Sequence, residues 1–358
     1  MQVNIYKELP FDPSQLKVEV KNTTIKVLCD MLEHDMIDMQ PDFQRHANLW
    51  DIKKKSRFIE SIILGIPIPS MFFYVDRDSK KWVVIDGLQR LCALYDFMVT
   101  KKVRLKGLEL LKNVEDYSLE EFSYFDQLDM AMRNVTLNVI SGDASRDAIY
   151  LIFKRINSEG LALRPAEIRN ALYRGKGMDF IKSIADDPEF LKVINGAVST
   201  KRMVHYDYVA RFIAFHINGY HSYKDRMDTF LSDTLNNLNA TDDQYLFTEL
   251  RETFFRSLHT CCSLLDEDVF RSPTMIDSRK KSNPMSITLF ETMMYSVSHL
   301  DMRQEYILLN CKNKYRDLYF ELFKDSKLQK MLAQGTGQPN SVHYRFEKME
   351  ELVNITLL

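Results

Sequence analysis

Every strand-like pattern in this chain falls in its first 160 residues, and beyond that point only helical spacing remains. Met71–Val75 and Trp82–Asp86 read as the two arms of a hairpin turning at Arg77–Lys80. Val135, Leu137 and Val139 alternate with Thr136, Asn138 and Ile140 as a further strand. Helices are predicted over Thr24–Glu33, over Asp51–Leu64 with Asp51 as N-cap and Gly65 closing it, and over Ala144–Ile156 with Asp143 as cap. The later helices are predicted over Pro165–Tyr173, Met203–Asn218, Tyr223–Leu238, Tyr245–Leu265, Ile287–His299 and Gln304–Phe323. The fold class is therefore α+β: an α/β domain over residues 1–160 followed by an all-helical domain over 161–358.

The 358 residues, 45% of them hydrophobic, suffice for two cores. A net charge of −2 argues against a sequence-independent coat on DNA but leaves room for a local basic patch. The five cysteines (Cys29, Cys92, Cys261, Cys262, Cys311) lack CxxC spacing, which fits buried thiols in a reducing compartment. MQVNIYKELP has no signal-peptide pattern. The most apolar run, Phe58–Val75, carries Glu60 and two prolines and is no membrane span. The expected location is cytoplasmic, with no membrane partner.

Four polar islands interrupt the apolar pattern. The first is PDFQRHANLW, Pro41–Trp50, which taken alone reads as a surface loop. The second is Glu60 with Ser61, set between the apolar pairs Phe58-Ile59 and Ile62-Ile63. That carboxylate is either on a narrow exposed stripe or partly buried and paired, while Lys53, Lys54, Lys55 and Arg57 read as a solvated face. The third is Asp86, Gly87, Gln89 and Arg90, on a strand-to-helix turn. A helix start exposes unpaired N–H groups that attract anions, Gly87 permits a tight turn, and Arg90 offers a planar fork suited to phosphate. Asp86 can cap the helix, hold Arg90, or position a metal or water. The bland reading of this island is a capped helix with a surface arginine. The fourth, FKRINSEGLALRPAEIRNALYRG (Phe153–Gly175), reads as a helix end, a turn and a new helix, a polar corner without a base-reading pattern. Walker A, GxGxxG, HExxH and GxSxG motifs are all missing from the sequence.

In their order along the chain, PDFQR…W, FIESIILGIPIPSMFFY, WVVIDGLQRLCAL and FKRINSEGLALRPAEIRNALYRG resemble one family. It is the ParB/sulfiredoxin-like domain at the N-terminus of GmrSD-type modification-dependent restriction enzymes, whose signature is a DGQQR motif. The resemblance runs from Met39 to Gly175 and continues more weakly in Lys201–Phe212 and Asn283–Glu291.

That resemblance implies a module of a bacterial anti-phage or restriction-type system that binds and hydrolyses a nucleoside triphosphate and acts on or regulates DNA engagement. It implies nucleotide-binding roles for Gln44, Arg45, Gly87, Arg90, Arg155 and Asn157, and catalytic roles for Asp86, Gln89 and Glu60. The nucleotide would lie between the hairpin and the Phe153–Gly175 corner. A divalent metal is open, as is assembly into homo-oligomers. Two departures qualify the pattern. Leu88 stands where the motif has its first glutamine, so an amide that could orient water is missing. Beyond Gly175 there is no cluster of His, Asn and Asp suited to an HNH nuclease, so DNA cleavage would fall to a separate nuclease or effector protein. The competing reading is a non-hydrolysing nucleotide- or DNA-binding interaction protein that regulates such a partner. A third reading, with DNA nicking by this domain itself, lacks an evident metal cluster.

Overall fold

The computed structural model describes residues 16–39, 50–76, 79–141, 145–156, 164–200, 202–224, 226–266, 269–273 and 285–358. The chain forms two compact units, Met1–Leu163 and Arg164–Leu358.

The first unit is built on a five-stranded mixed sheet of order β1-β5-β3-β4-β2. Its strands are β1 (Val18–Thr24), β2 (Ile37–Asp38), β3 (Met71–Val75), β4 (Trp82–Asp86) and β5 (Asn134–Ile140). β3 and β4 form the expected antiparallel hairpin, with a register shift between Phe72 and Phe73. β5 lies parallel to β3, and β1 pairs antiparallel with β5 along the edge. β1 alternates Val18 and Val20 with Glu19 and Lys21, but both valines are exposed, and no strand is predicted here from the sequence.

Helix α1 (Ile25–Glu33) starts where the Thr24 hydroxyl accepts the Val27 amide, and it buries Ile25, Leu28 and Leu32. Helix α2 (Ile52–Ile63) is capped by Asp51, whose carboxylate accepts the Lys54 amide, and it buries Phe58, Ile59 and Ile62. α3 (Leu88–Leu94) runs on into a π-helical turn, Tyr95–Val99, and packs against α2. α4 (Tyr124–Met132) begins at the Ser123 cap. α5 (Arg146–Ile156) packs against β4. Its first turn is tied by the Ser145 hydroxyl, which accepts the Ala148 amide; the expected cap, Asp143, lies outside the described residues. The core of this unit draws Leu28, Ile59, Phe73, Leu91, Phe97 and Leu137 into one cluster.

The second unit contains α6 (Pro165–Leu172), α7 (Lys176–Ala185), α8 (Pro188–Ile194), α9 (Val204–Asn218), α10 (Met227–Ala240), α11 (Gln244–Leu265), α12 (Ile287–Ser298), α13 (Met302–Asn310), α14 (Lys312–Leu322), α15 (Ser326–Ala333) and α16 (Pro339–Leu357). α12 is buried from Thr288 to Ser298 and packs against α9, α11 and α16. The single helix expected over Gln304–Phe323 is two, broken at Cys311.

Burial of polar groups in this unit is balanced by ion pairs. Glu291 on α12 is fully buried; one carboxylate oxygen takes the Arg345 guanidinium and the other takes Arg211 at 2.9 Å. Arg345, equally buried, also donates to the Thr336 carbonyl at 2.7 Å. Arg169 on α6 bridges Asp207 and Asp228, and Glu167 receives Arg202 through two 2.7 Å bonds. Glu167, Arg169 and Asn170 are all buried, so these residues of the fourth island lie inside the unit instead of on a polar surface corner.

Candidate functional site

β4 delivers Asp86 to the end of a buried strand, and the chain then turns sharply through Gly87 into α3. Gly87 has φ +103°, a left-handed conformation that a side chain resists. A Cβ there would also come within 2.7 Å of the Met71 side chain on β3. Glycine is thus needed twice, once for its dihedral and once for the neighbouring strand. No side chain caps the first turn of α3.

Asp86 and Arg90 face each other across that turn, the guanidinium donating to the carboxylate at 2.5 Å. The other terminal nitrogen of Arg90 donates to the carbonyls of Pro69 and Ser70, at 2.5 and 3.3 Å. The fork is therefore oriented in advance, and an anion at Arg90 would compete with Asp86 for it. Gln89 accepts the Trp50 backbone amide at 3.1 Å, which ties the turn to the end of the first polar island. The Trp50 ring in turn packs edge-on against Phe58 of α2. Leu88 points the other way, against the hydrophobic core.

Glu60 is placed differently. It is buried, and its carboxylate accepts the amides of Glu109, Leu110 and Leu111 at 3.0, 2.7 and 2.7 Å. Burial by itself would raise its pKa; the three N–H donors outweigh that and hold the carboxyl below its ordinary value. Of the two readings open for this residue, the buried and paired one is observed, with backbone amides as the partners. Neighbours on α2 extend the pattern. The Ser56 hydroxyl accepts the Lys106 amide at 2.8 Å. Lys55, expected on a solvated face, is buried and paired at 2.6 Å with Asp96 in the π turn, because helical rotation carries it to the α3 side.

Arg155 lies exposed in the last turn of α5, the helix that packs on β4. Gln44, Arg45 and Asn157 lie outside the described residues. The structure therefore gathers Asp86, Gly87, Gln89 and Arg90 on one turn and sets Glu60 against residues 109–111. A cavity of about 230 Å³ elsewhere in this unit, lined by Lys26, Cys29, Met98 and Ala131 among others, does not include the turn. Among the described residues, no group of three or more His, Cys, Asp or Glu side chains is arranged to hold a metal ion. A divalent cation here would need oxygens from a bound phosphate, as Mg²⁺ commonly does.

Several residues of this region carry no sequence signal of their own. Trp50, Ser56 and Glu115 are among them. Ser56 and Glu60 do share one hint: four residues apart on a helix, they lie on the same face.

A mixed five-stranded sheet, with a strand–glycine–helix turn carrying an acid–arginine pair, places the first unit in the α+β class. Residues 26–174 match the family model of the GmrSD restriction endonuclease N-terminal domain. The match covers the sheet from β2 onward and ends just beyond α6. No curated protein and no solved structure matches the chain. No helix among the described residues is long and apolar enough to cross a membrane.

Proposed function

We propose that the first unit binds a nucleoside triphosphate at the Asp86–Arg90 turn and hydrolyses it, with the nucleotide state governing engagement of DNA or of a separate nuclease partner. The observation that carries this reading is the pre-oriented Asp86–Arg90 pair, tethered through Gln89 to Trp50. Phosphate oxygens would replace the Asp86 carboxylate as the partner of Arg90. That exchange would free Asp86 to orient the attacking water or a divalent ion. Gln89 would hold the turn and the first polar island together. The roles of Gln44, Arg45, Arg155 and Asn157 in holding phosphates rest on the resemblance to that family. Glu60, saturated by amides, is better suited to anchoring residues 109–111 than to accepting a proton.

The test is nucleotide binding by the wild type and by Arg90→Ala and Asp86→Ala variants, with thermal melts confirming folding. Arg90→Ala is expected to weaken binding about tenfold or more, the loss of roughly one charge-assisted hydrogen bond. Asp86→Ala is expected to retain binding and lose turnover. Equal binding by all three proteins, or none by the wild type, would refute the site.

A second reading, a non-hydrolysing interaction protein, is favoured by the inward packing of Leu88. Phosphate release measured with and without DNA separates the two. Turnover by the wild type excludes the second reading; turnover only in Leu88→Gln establishes it.

A further inference from the structure

Helix α4 buries Met130 on its inner side but leaves a second apolar face uncovered. On that face Tyr124 is 73% exposed, Phe125 78%, Leu128 44% and Met132 57%. Helical rotation places these four within about 100° of arc, the width of a core-facing stripe. The polar flank beside it holds Asp126, Asp129 and Arg133, with Arg133 paired to Asp129 at 2.6 Å. An aromatic side chain covers roughly 150–250 Å² when buried, so this stripe offers on the order of 400–600 Å² of apolar surface. That lies in the upper part of the range usual for the largest patch on a monomer, about 300–600 Å².

We propose that this stripe is a two-fold interface between copies of this chain, with α4 packed antiparallel on α4 of the second copy. Three features favour a second copy as the occupant. The first is self-complementarity. Both rings lie toward the N-terminal end of the stripe and flexible Met132 toward its C-terminal end, so antiparallel pairing sets ring on thioether about a central Leu128. The second is charge. Antiparallel copies oppose unlike ends of the helix dipole, whereas parallel copies would oppose like ones. The third is area: two such stripes bury about 1,000 Å² together, the threshold for a specific though modest interface.

The test is sedimentation velocity of the full chain across the micromolar range, with Phe125→Glu and Leu128→Asp variants alongside. The wild type is expected to shift from monomer to dimer as concentration rises. Both variants are expected to stay monomeric with unchanged melting, since the substituted side chains are exposed. Mild oxidation of Leu128→Cys is expected to give a covalent dimer that the wild type, with its own cysteines, does not form. A wild type that is monomeric throughout overturns the proposal and leaves the stripe to a different partner. A dimer that survives both charged substitutions overturns it by placing the interface elsewhere.

Discussion

Glu60 and Glu115 divide five consecutive backbone amides between them. Glu115 takes those of Gly107 and Leu108, at 2.6 and 3.1 Å, and Glu60 takes the next three. A run of amides aimed in this way would otherwise attract an anion from solution. Here the chain supplies its own, one carboxylate from α2 and one from the end of the loop itself. Glu60→Gln puts an NH2 group where an amide donor already points. The expected loss is about 1–3 kcal/mol, read from urea denaturation. An unchanged midpoint and slope would show that the loop is held by its apolar contacts alone.

Acid should expose the same arrangement. Both carboxyls are held below their ordinary value, Glu115 chiefly by its bonds to Gly107 and Leu108. A depressed folded pKa contributes stability that is complete above the unfolded value, about 4.3, and is lost as pH falls through the folded value. Melting temperature should therefore drop below that pH, and Glu60→Gln should flatten part of the drop. A mutant profile parallel to the wild type would refute the assignment.

Gly87→Ala should be costly although it adds only a methyl group. The φ of +103° and the 2.7 Å approach to Met71 act independently. Strain of this kind costs about 1–3 kcal/mol. Adding Met71→Ala relieves the contact but leaves the dihedral, so the double variant should not regain the stability of Met71→Ala alone. Full recovery would mean that only the steric contact matters.

The Asp86–Arg90 pair should show coupling in a double-mutant cycle. Each residue substituted singly leaves a partner unmatched, and for a partly exposed pair the interaction is of order 1 kcal/mol. Additive effects on the unfolding free energy would show that Arg90 is held by the Pro69 and Ser70 carbonyls without help from Asp86.

In the second unit the largest single effect is expected at Glu291. Its removal takes away the carboxylate that the Arg345 and Arg211 guanidinium groups share. Breaking a buried pair from one side costs about 3–5 kcal/mol. Glu291→Ala should lose most soluble expression. Arg345→Met, which removes a charge and keeps apolar volume, should lose less. Equal losses would mean that packing volume, not charge balance, is what the site requires.

Elements with a strong apolar period were legible from the sequence. The β3–β4 hairpin, β5, α1 and α2 all stand within a residue or two of expectation, because one-sided burial writes itself into the spacing of Ile, Leu and Phe. β1 was not predicted although Val18 and Val20 alternate with Glu19 and Lys21; as an edge strand it is held by backbone bonds to β5, and those valines lie exposed. The break at Cys311 was missed because apolar spacing continues across it. In the site, the order of Asp86, Gly87, Gln89 and Arg90 marked the turn. Nothing in the order showed that Arg90 is satisfied by Pro69 and Ser70, some twenty residues earlier.

The sequence by itself determined where strands give way to helices, where glycine must stand, and which family model residues 26–174 match. Those properties depend on local dihedrals and on the period of burial, both of which a short window contains. Tertiary structure alone decided what each charged residue does. Lys55 finds Asp96, Glu60 finds the amides of 109–111, and Glu291 finds Arg211 and Arg345. A buried charge is defined by the partner that offsets its desolvation, and those partners lie forty or more residues away in the chain.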